Sequence, residues 1–376
     1  LTTLAWGLFL ACSWTWCVGM YLPRILLERH GWWGFIAFAI PNIIGCSAFG
    51  YLVRNGARSR AMIERHRTAM TWFSIITIAF HIMFLTLLIQ WLTPDWSHVW
   101  WWRPWLVPIA LLIASAMSVL SDRAWLIYAA LMYFLSILAF IIIGTRGAEW
   151  IDWYGEFGRT PLVYLFPVMI FGFALCPYLD LTFHRAIQLS PSRHSFAIFG
   201  ITFAAMIVLT CFMWFTPGYA SVPLLALGHI VGQSIFTMGA HAREVMQVGA
   251  IPLPGSFGSR GRGRRWLLIA AAILAMLAGP IAGQFDNAPA AADDLYLRYL
   301  VFYALVFPLY VFLFIGPWRM FDQMRAGRIV YLLLVLLSLP AYELGFIHHE
   351  PRLLLIPLSM FAMVLIGTWW IGSRRE

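Results

Sequence analysis

The chain has no lysine and few residues of either charge. Of its 376 residues 11% are charged, against about 25% in a soluble domain. So few charges cannot cover a globular surface, which excludes a soluble enzyme and a disordered regulator. Cysteine is scarce as well. Cys12, Cys17, Cys46, Cys176 and Cys211 all fall inside apolar runs, and none has CxxC spacing. Neither a secreted disulfide framework nor a zinc site follows from that pattern. Sustained alternation of polar and apolar residues is missing, which excludes an outer-membrane barrel. There is no GxxxxGK[ST] tract, so a nucleotide-driven pump lacks its phosphate loop.

What the sequence has in excess is apolar surface. Hydrophobic residues make up 62%, aromatic residues 17%, and mean hydropathy is +0.79. Lipid is therefore the main solvent, and one spanning helix needs about 20 apolar residues. Apolar runs fall at about 3–22, 32–53, 69–93, 105–121, 124–144, 161–183, 195–216, 219–240, 266–284, 295–316, 328–347 and 353–372. They predict an all-α polytopic membrane protein of about 12 transmembrane helices. Residues 1–22 lack a basic leader and a small-residue cleavage site, so a retained first helix is expected.

All 25 basic residues are Arg, and their placement tests this topology. With both termini cytoplasmic, the inside segments 54–68, 122–123, 184–194, 241–265, 317–328 and 373–376 hold 18 Arg, against 7 outside. Including acids, the inside segments carry +13 and the outside ones −2. That is the positive-inside pattern, and it fits the cytoplasmic (inner) membrane of a cell rather than a nucleic-acid partner. The Gly/Arg tract 255–265 is read as a solvated loop beside anionic headgroups.

Three spans are interrupted. Span 1 carries Ser13, Trp14, Thr15, Trp16, Cys17 and Gly19. Span 6 carries Gly172, Cys176, Pro177, Tyr178 and Asp180. Span 8 carries Gly228, His229, Gly232, Gln233, Ser234 and Thr237. Broken backbone at membrane depth survives only beside protein or a water-filled cavity. Interrupted spans at matching places in two halves point to a transporter site. Spans 1 and 6 lie five apart, so a five-helix repeat makes them equivalent, and an odd number inverts the second copy. The expected units are 1–144 (helices 1–5), 161–316 (helices 6–10) and two added helices in 328–376.

The stretch Gly19-Met20-Tyr21-Leu22-Pro23, followed by Gly31 to Gly45 with Ile40-Pro41-Asn42, resembles the first two core helices of LeuT-fold transporters. It is most similar to their sodium:solute symporter branch. The resemblance implies a 5+5 inverted repeat, a substrate site between helices 1 and 6, and a sodium site between helices 1 and 8. It places substrate contacts at Ser13, Trp14, Thr15, Trp16, Cys17, Gly19, Cys176, Pro177 and Tyr178. It places ion coupling at Ser234 and Thr237, although the family often has two adjacent hydroxyls there. Asp180, the only acid in span 6, is a candidate for a cation or a proton, or else pairs with Arg185 at the interface. No cofactor is expected beyond a coupling Na⁺ or H⁺.

The expected function is a secondary transporter, not an enzyme, moving a small polar solute by alternating access. Few central charges favour a neutral or zwitterionic solute. Three other readings stand beside it. A major-facilitator transporter also has twelve spans, and Gly50–Arg58 resembles its loop 2–3 motif without the aspartate. A haem-binding oxidoreductase subunit would use His81 and His229 as axial ligands. The fourth is a non-transporting sensor or scaffold. Glu343 could join a proton relay or snorkel to the interface. His348-His349-Glu350 has metal-ligand composition, but adjacent helical histidines point about 100° apart.

Overall fold

In the computed structural model, residues 1–91, 103–145, 149, 151–214, 223–250, 288–315 and 325–373 are described. Among them there are helices and turns and no strand. Six helices are long and apolar enough to cross a membrane, or seven with one bent pair counted as a span. Three shorter apolar helices accompany them. The chain is an all-helical, multi-pass membrane protein. The expected span 266–284 and the tract 255–265 lie outside the described residues.

Span 1 forms as two pieces, α1 (Thr2–Trp14) and α2 (Cys17–Ile40). Thr15 and Trp16 leave helical geometry between them, Trp16 being fully extended (ψ 174°). The Thr15 hydroxyl donates to the Ala11 carbonyl at 2.6 Å, and the Trp16 indole donates to the Ser13 carbonyl. The Thr15 hydroxyl shares the Ala11 carbonyl with its own amide, while the indole takes the Ser13 carbonyl that the Cys17 amide would meet in a continuous helix. The freed Cys17 amide donates to His81 Nε2 at 3.3 Å.

The loop expected after Pro23 does not exist. Helix continues through Pro23 to His30, and the chain turns at Gly31 (φ 60°, ψ −155°). That conformation is nearly exclusive to glycine. The 151–158 loop packs into the turn, with the Trp32 amide donating to the Asp152 carbonyl and the Phe157 amide to the Arg29 carbonyl. A Cβ on Gly31 would sit 2.3 Å from the Asp152 oxygen. Span 2 then widens into a π turn at Pro41–Gly45 before α3 (Cys46–Val53). The arginine-rich segment expected as a loop is instead the start of a long helix, α4 (Gly56–Trp91), kinked at His66.

The rest follows in order. α5 (Arg103–Met117) and α6 (Asp122–Gly144) come next. Span 6 is α7 (Leu162–Leu175), a 3-10 turn at Cys176–Tyr178, and α8 (Leu181–Leu189), bent by 54°. Asp180 caps α8 by accepting the Thr182 amide at 2.7 Å. α9 (Ser195–Trp214) and α10 (Pro223–Ala250) follow. α10 runs ten residues past the end expected at 240, so His241, Arg243 and Glu244 are helical and buried. Then come α11 (Ala288–Tyr299), a π turn at Phe302–Val306, α12 (Phe307–Phe314), α13 (Arg325–Tyr342), a π turn at Glu343–Ile347 and α14 (Leu355–Ser373).

α1 is the hub, packing on α9, α6 and α10. α10 packs on α4 and α5, while α7 packs on α2 and the π turn at 41–45. Glycine permits the closest of these approaches. At Gly45 a Cβ would lie 2.9 Å from the Ala174 backbone, and at Gly50 one would enter the Phe196 ring. Such small-residue contacts are how helices approach in lipid.

Candidate functional site

The two breaks meet. Ser13 Oγ lies 3.2 Å from Thr182 Oγ1, joining the end of α1 to the start of α8. Beside this contact, Trp14, Trp16, Gly19 and Cys176 line a small void of about 10 Å³, room for about one water. Val18, Asn42, Phe173 and Tyr303 complete it. Trp14 Nε1 donates to Asn42 Oδ1 at 2.7 Å, so the π turn of span 2 pins the tryptophan. Trp14 and Trp16 lie 4.3 Å apart by ring centroids.

The other expected contacts fall elsewhere. Thr15 is spent on its own helix. Cys17 gives its amide to His81, and its carbonyl accepts from the Tyr296 hydroxyl at 3.0 Å. Pro177 shapes the 3-10 turn. Tyr178 turns away, packing edge-on against Phe49. Ser13 bonds at the rim of the void.

Above the void, on the side of the α7 N-terminus, lies a cavity of about 470 Å³, within the usual range for small-molecule sites. It shares Val18, Phe173 and Tyr303 with the void, so these three form a floor between the two. Leu165, Met169, Leu297 and Phe346 are typical of its walls. Its rim is charged. Arg298 donates to both Glu343 oxygens, at 2.7 and 3.2 Å, and Arg29, His30 and His349 stand nearby. Glu343 is therefore paired at the rim. The His348-His349-Glu350 run forms no metal cluster among the described residues.

The opposite end carries an ion-pair network. Arg185 on α8 donates to both carboxylate oxygens of Glu244 on α10, to Asp122 at the start of α6 (3.2 Å), and to Gln247. Arg243 reaches the same Asp122 oxygen at 2.5 Å. The Arg185–Glu244 contact is largely buried, with side-chain exposures of 13% and 6%.

This disposes of the expected Asp180–Arg185 pair: the guanidinium is spent on three other residues. Asp180 instead faces a residue that sequence reading missed. Its Oδ2 lies 3.9 Å from His241 Nε2, both side chains being fully buried. Among the described residues neither atom has a hydrogen-bond partner. The far atoms are engaged: Asp180 Oδ1 accepts from the Thr182 amide and hydroxyl, and His241 Nδ1 lies 3.1 Å from Ser74 Oγ. The Trp16 ring packs edge-on against the His241 imidazole. A signal for His241 was present, since Ser234, Thr237 and His241 lie three and four residues apart and share a helix face.

Thr237 Oγ1 donates to the Cys12 carbonyl at 3.5 Å, and Ser234 Oγ is buried without a partner among the described residues. Span 8 thus faces span 1 where the resemblance places an ion. His81 uses both ring nitrogens, one on Cys17 and one on the Thr77 carbonyl at 2.8 Å. It offers no lone pair for haem iron.

No protein-family model matches the sequence, and no curated protein matches it.

Proposed function

We propose that the chain is a secondary active transporter working by alternating access, built as a 5+5 inverted repeat. The carrying observation is the contact of the breaks in spans 1 and 6 beside a small void, with a cavity on one side and the Arg185 ion-pair network on the other. A site accessible from one end at a time is what alternating access requires.

Packing supports the repeat. Span 1 packs on span 7 (α1 on α9), and span 6 packs on span 2 (α7 on the π turn at 41–45). An exchange of spans 1–5 with 6–10 maps one contact onto the other. A six-helix repeat of major-facilitator type would not make the broken spans equivalent.

The Arg count places the Arg185 end in the cytoplasm, so the vestibule faces outward. Its aliphatic and aromatic walls call for a solute with an apolar body, and its rim and the Asn42 amide offer polar contacts. In this scheme spans 1 and 6 rock with spans 2 and 7, and the Arg185 network opens as the vestibule closes.

The test is uptake by the full chain in proteoliposomes, with imposed ion gradients and a panel of amino acids, monocarboxylates, nucleobases and sugars. Accumulation of one apolar-bodied class, lost in Trp16→Ala, is the expected result. Accumulation of none, together with fixed water accessibility at both ends, overturns the reading.

A further inference from the structure

We propose that the coupling ion is the proton, carried by the buried Asp180–His241 pair rather than by the hydroxyls of span 8. The inference rests on the transport reading above and names the ion for that same site.

The pair joins the two bodies that must move. Asp180 sits in the break of span 6, and His241 sits on α10, which packs on α4 and α5. Their facing atoms are 3.9 Å apart, one small closure from a hydrogen bond, and neither has a hydrogen-bond partner among the described residues. With one exchangeable proton, as acid and imidazole or as carboxylate and imidazolium, the pair is neutral and Oδ2 and Nε2 satisfy each other. Without it, a carboxylate faces a neutral ring in a dry interior, which is costly unless water enters. Loading therefore favours the closed pair, and unloading favours a state in which one end admits water.

The surroundings leave this pair as the group free to exchange. From α10, Glu244 reaches Asp180 electrostatically but is held by Arg185. Arg243 is held by Asp122. From α4, His81 reaches His241 but has both nitrogens engaged. From α3 and the 3-10 turn, Cys46 and Cys176 are buried thiols that donate to carbonyl oxygens. From α8, His184 bonds Ser59 and the Tyr178 carbonyl.

The link to solute is Trp16. It packs edge-on against His241, donates to the Ser13 carbonyl and lines the central void. A change in the charge of the imidazole is thus felt at the wall of the solute site. The proton enters from water on one side and leaves to water on the other, and no covalent bond changes.

A nitroxide attached at Leu300→Cys, in the vestibule wall, reads the opening without needing the solute. Its collision with a water-soluble nickel complex is measured in the full chain in proteoliposomes. The expected result is a several-fold change in accessibility between about pH 5 and about pH 8, where such groups titrate, and none on adding Na⁺. Asp180→Asn and His241→Gln should each flatten the profile, and two variants on different helices guard against one misfolding. A flat profile in the parent protein, or a profile unchanged in both variants, overturns the proton assignment. Movement with Na⁺ but not with pH also overturns it while leaving transport standing. Movement with neither removes both.

Discussion

Arg185→Met is the sharpest perturbation of the ion-paired end. It removes the guanidinium that grips both oxygens of Glu244 and also holds Asp122 and Gln247. The cost is unevenly divided. Asp122 is half-exposed and keeps Arg243 at 2.5 Å, so its share is about 0–1 kcal/mol. Glu244 is nearly fully buried and loses its bidentate partner, and breaking a buried pair from one side costs about 3–5 kcal/mol. Adding Glu244→Gln removes the stranded charge. The double variant should therefore recover most of the loss, giving a coupling of about 2–3 kcal/mol. Unfolding of the full chain in micelles, run as a double-mutant cycle, reads this coupling. The pair also holds α8 to α10, so Arg185→Met should raise water accessibility at the α8 C-terminus by at least about tenfold, at roughly 1.4 kcal/mol per decade. A coupling below about 0.5 kcal/mol would mean that the pair behaves as an exposed one and is not a lock.

Three further outcomes are expected. Gly31→Ala should lose at least about 1–3 kcal/mol from its backbone conformation alone, with further loss because the Cβ meets the Asp152 carbonyl; thermal melting in micelles checks it, and a stability near the parent's would refute the tight hinge. His81→Leu leaves the Cys17 amide buried and unpaired, a loss of about 1–3 kcal/mol, whereas His81→Gln, which can accept the same bond, should lose less. Met169→Trp should narrow the vestibule, lowering uptake while leaving the melting temperature within a few degrees; unimpaired uptake would show that solute does not pass this wall.

Much of this molecule was decided by composition. Too few charges and too many apolar residues leave lipid as the only adequate solvent, and the runs of about 20 residues follow from bilayer thickness. The breaks were legible because Pro177 and the polar run Ser13–Cys17 oppose a continuous helix at membrane depth. Charge density was a poorer guide to helix ends. The segment 56–67 and the residues 241–250 are charged yet helical, and in 241–250 buried Arg243 and Glu244 find partners across helices that no local pattern reveals. Asp180 shows the limit most clearly. Sequence proximity suggested Arg185, five residues on, but the cap of α8 points the carboxylate inward while Arg185 turns to α10. Its true neighbour, His241, is 61 positions away. A periodic pattern specifies which face of a helix is apolar, whereas which residue of another helix meets it depends on crossing geometry and register, and these are settled only when the whole bundle packs.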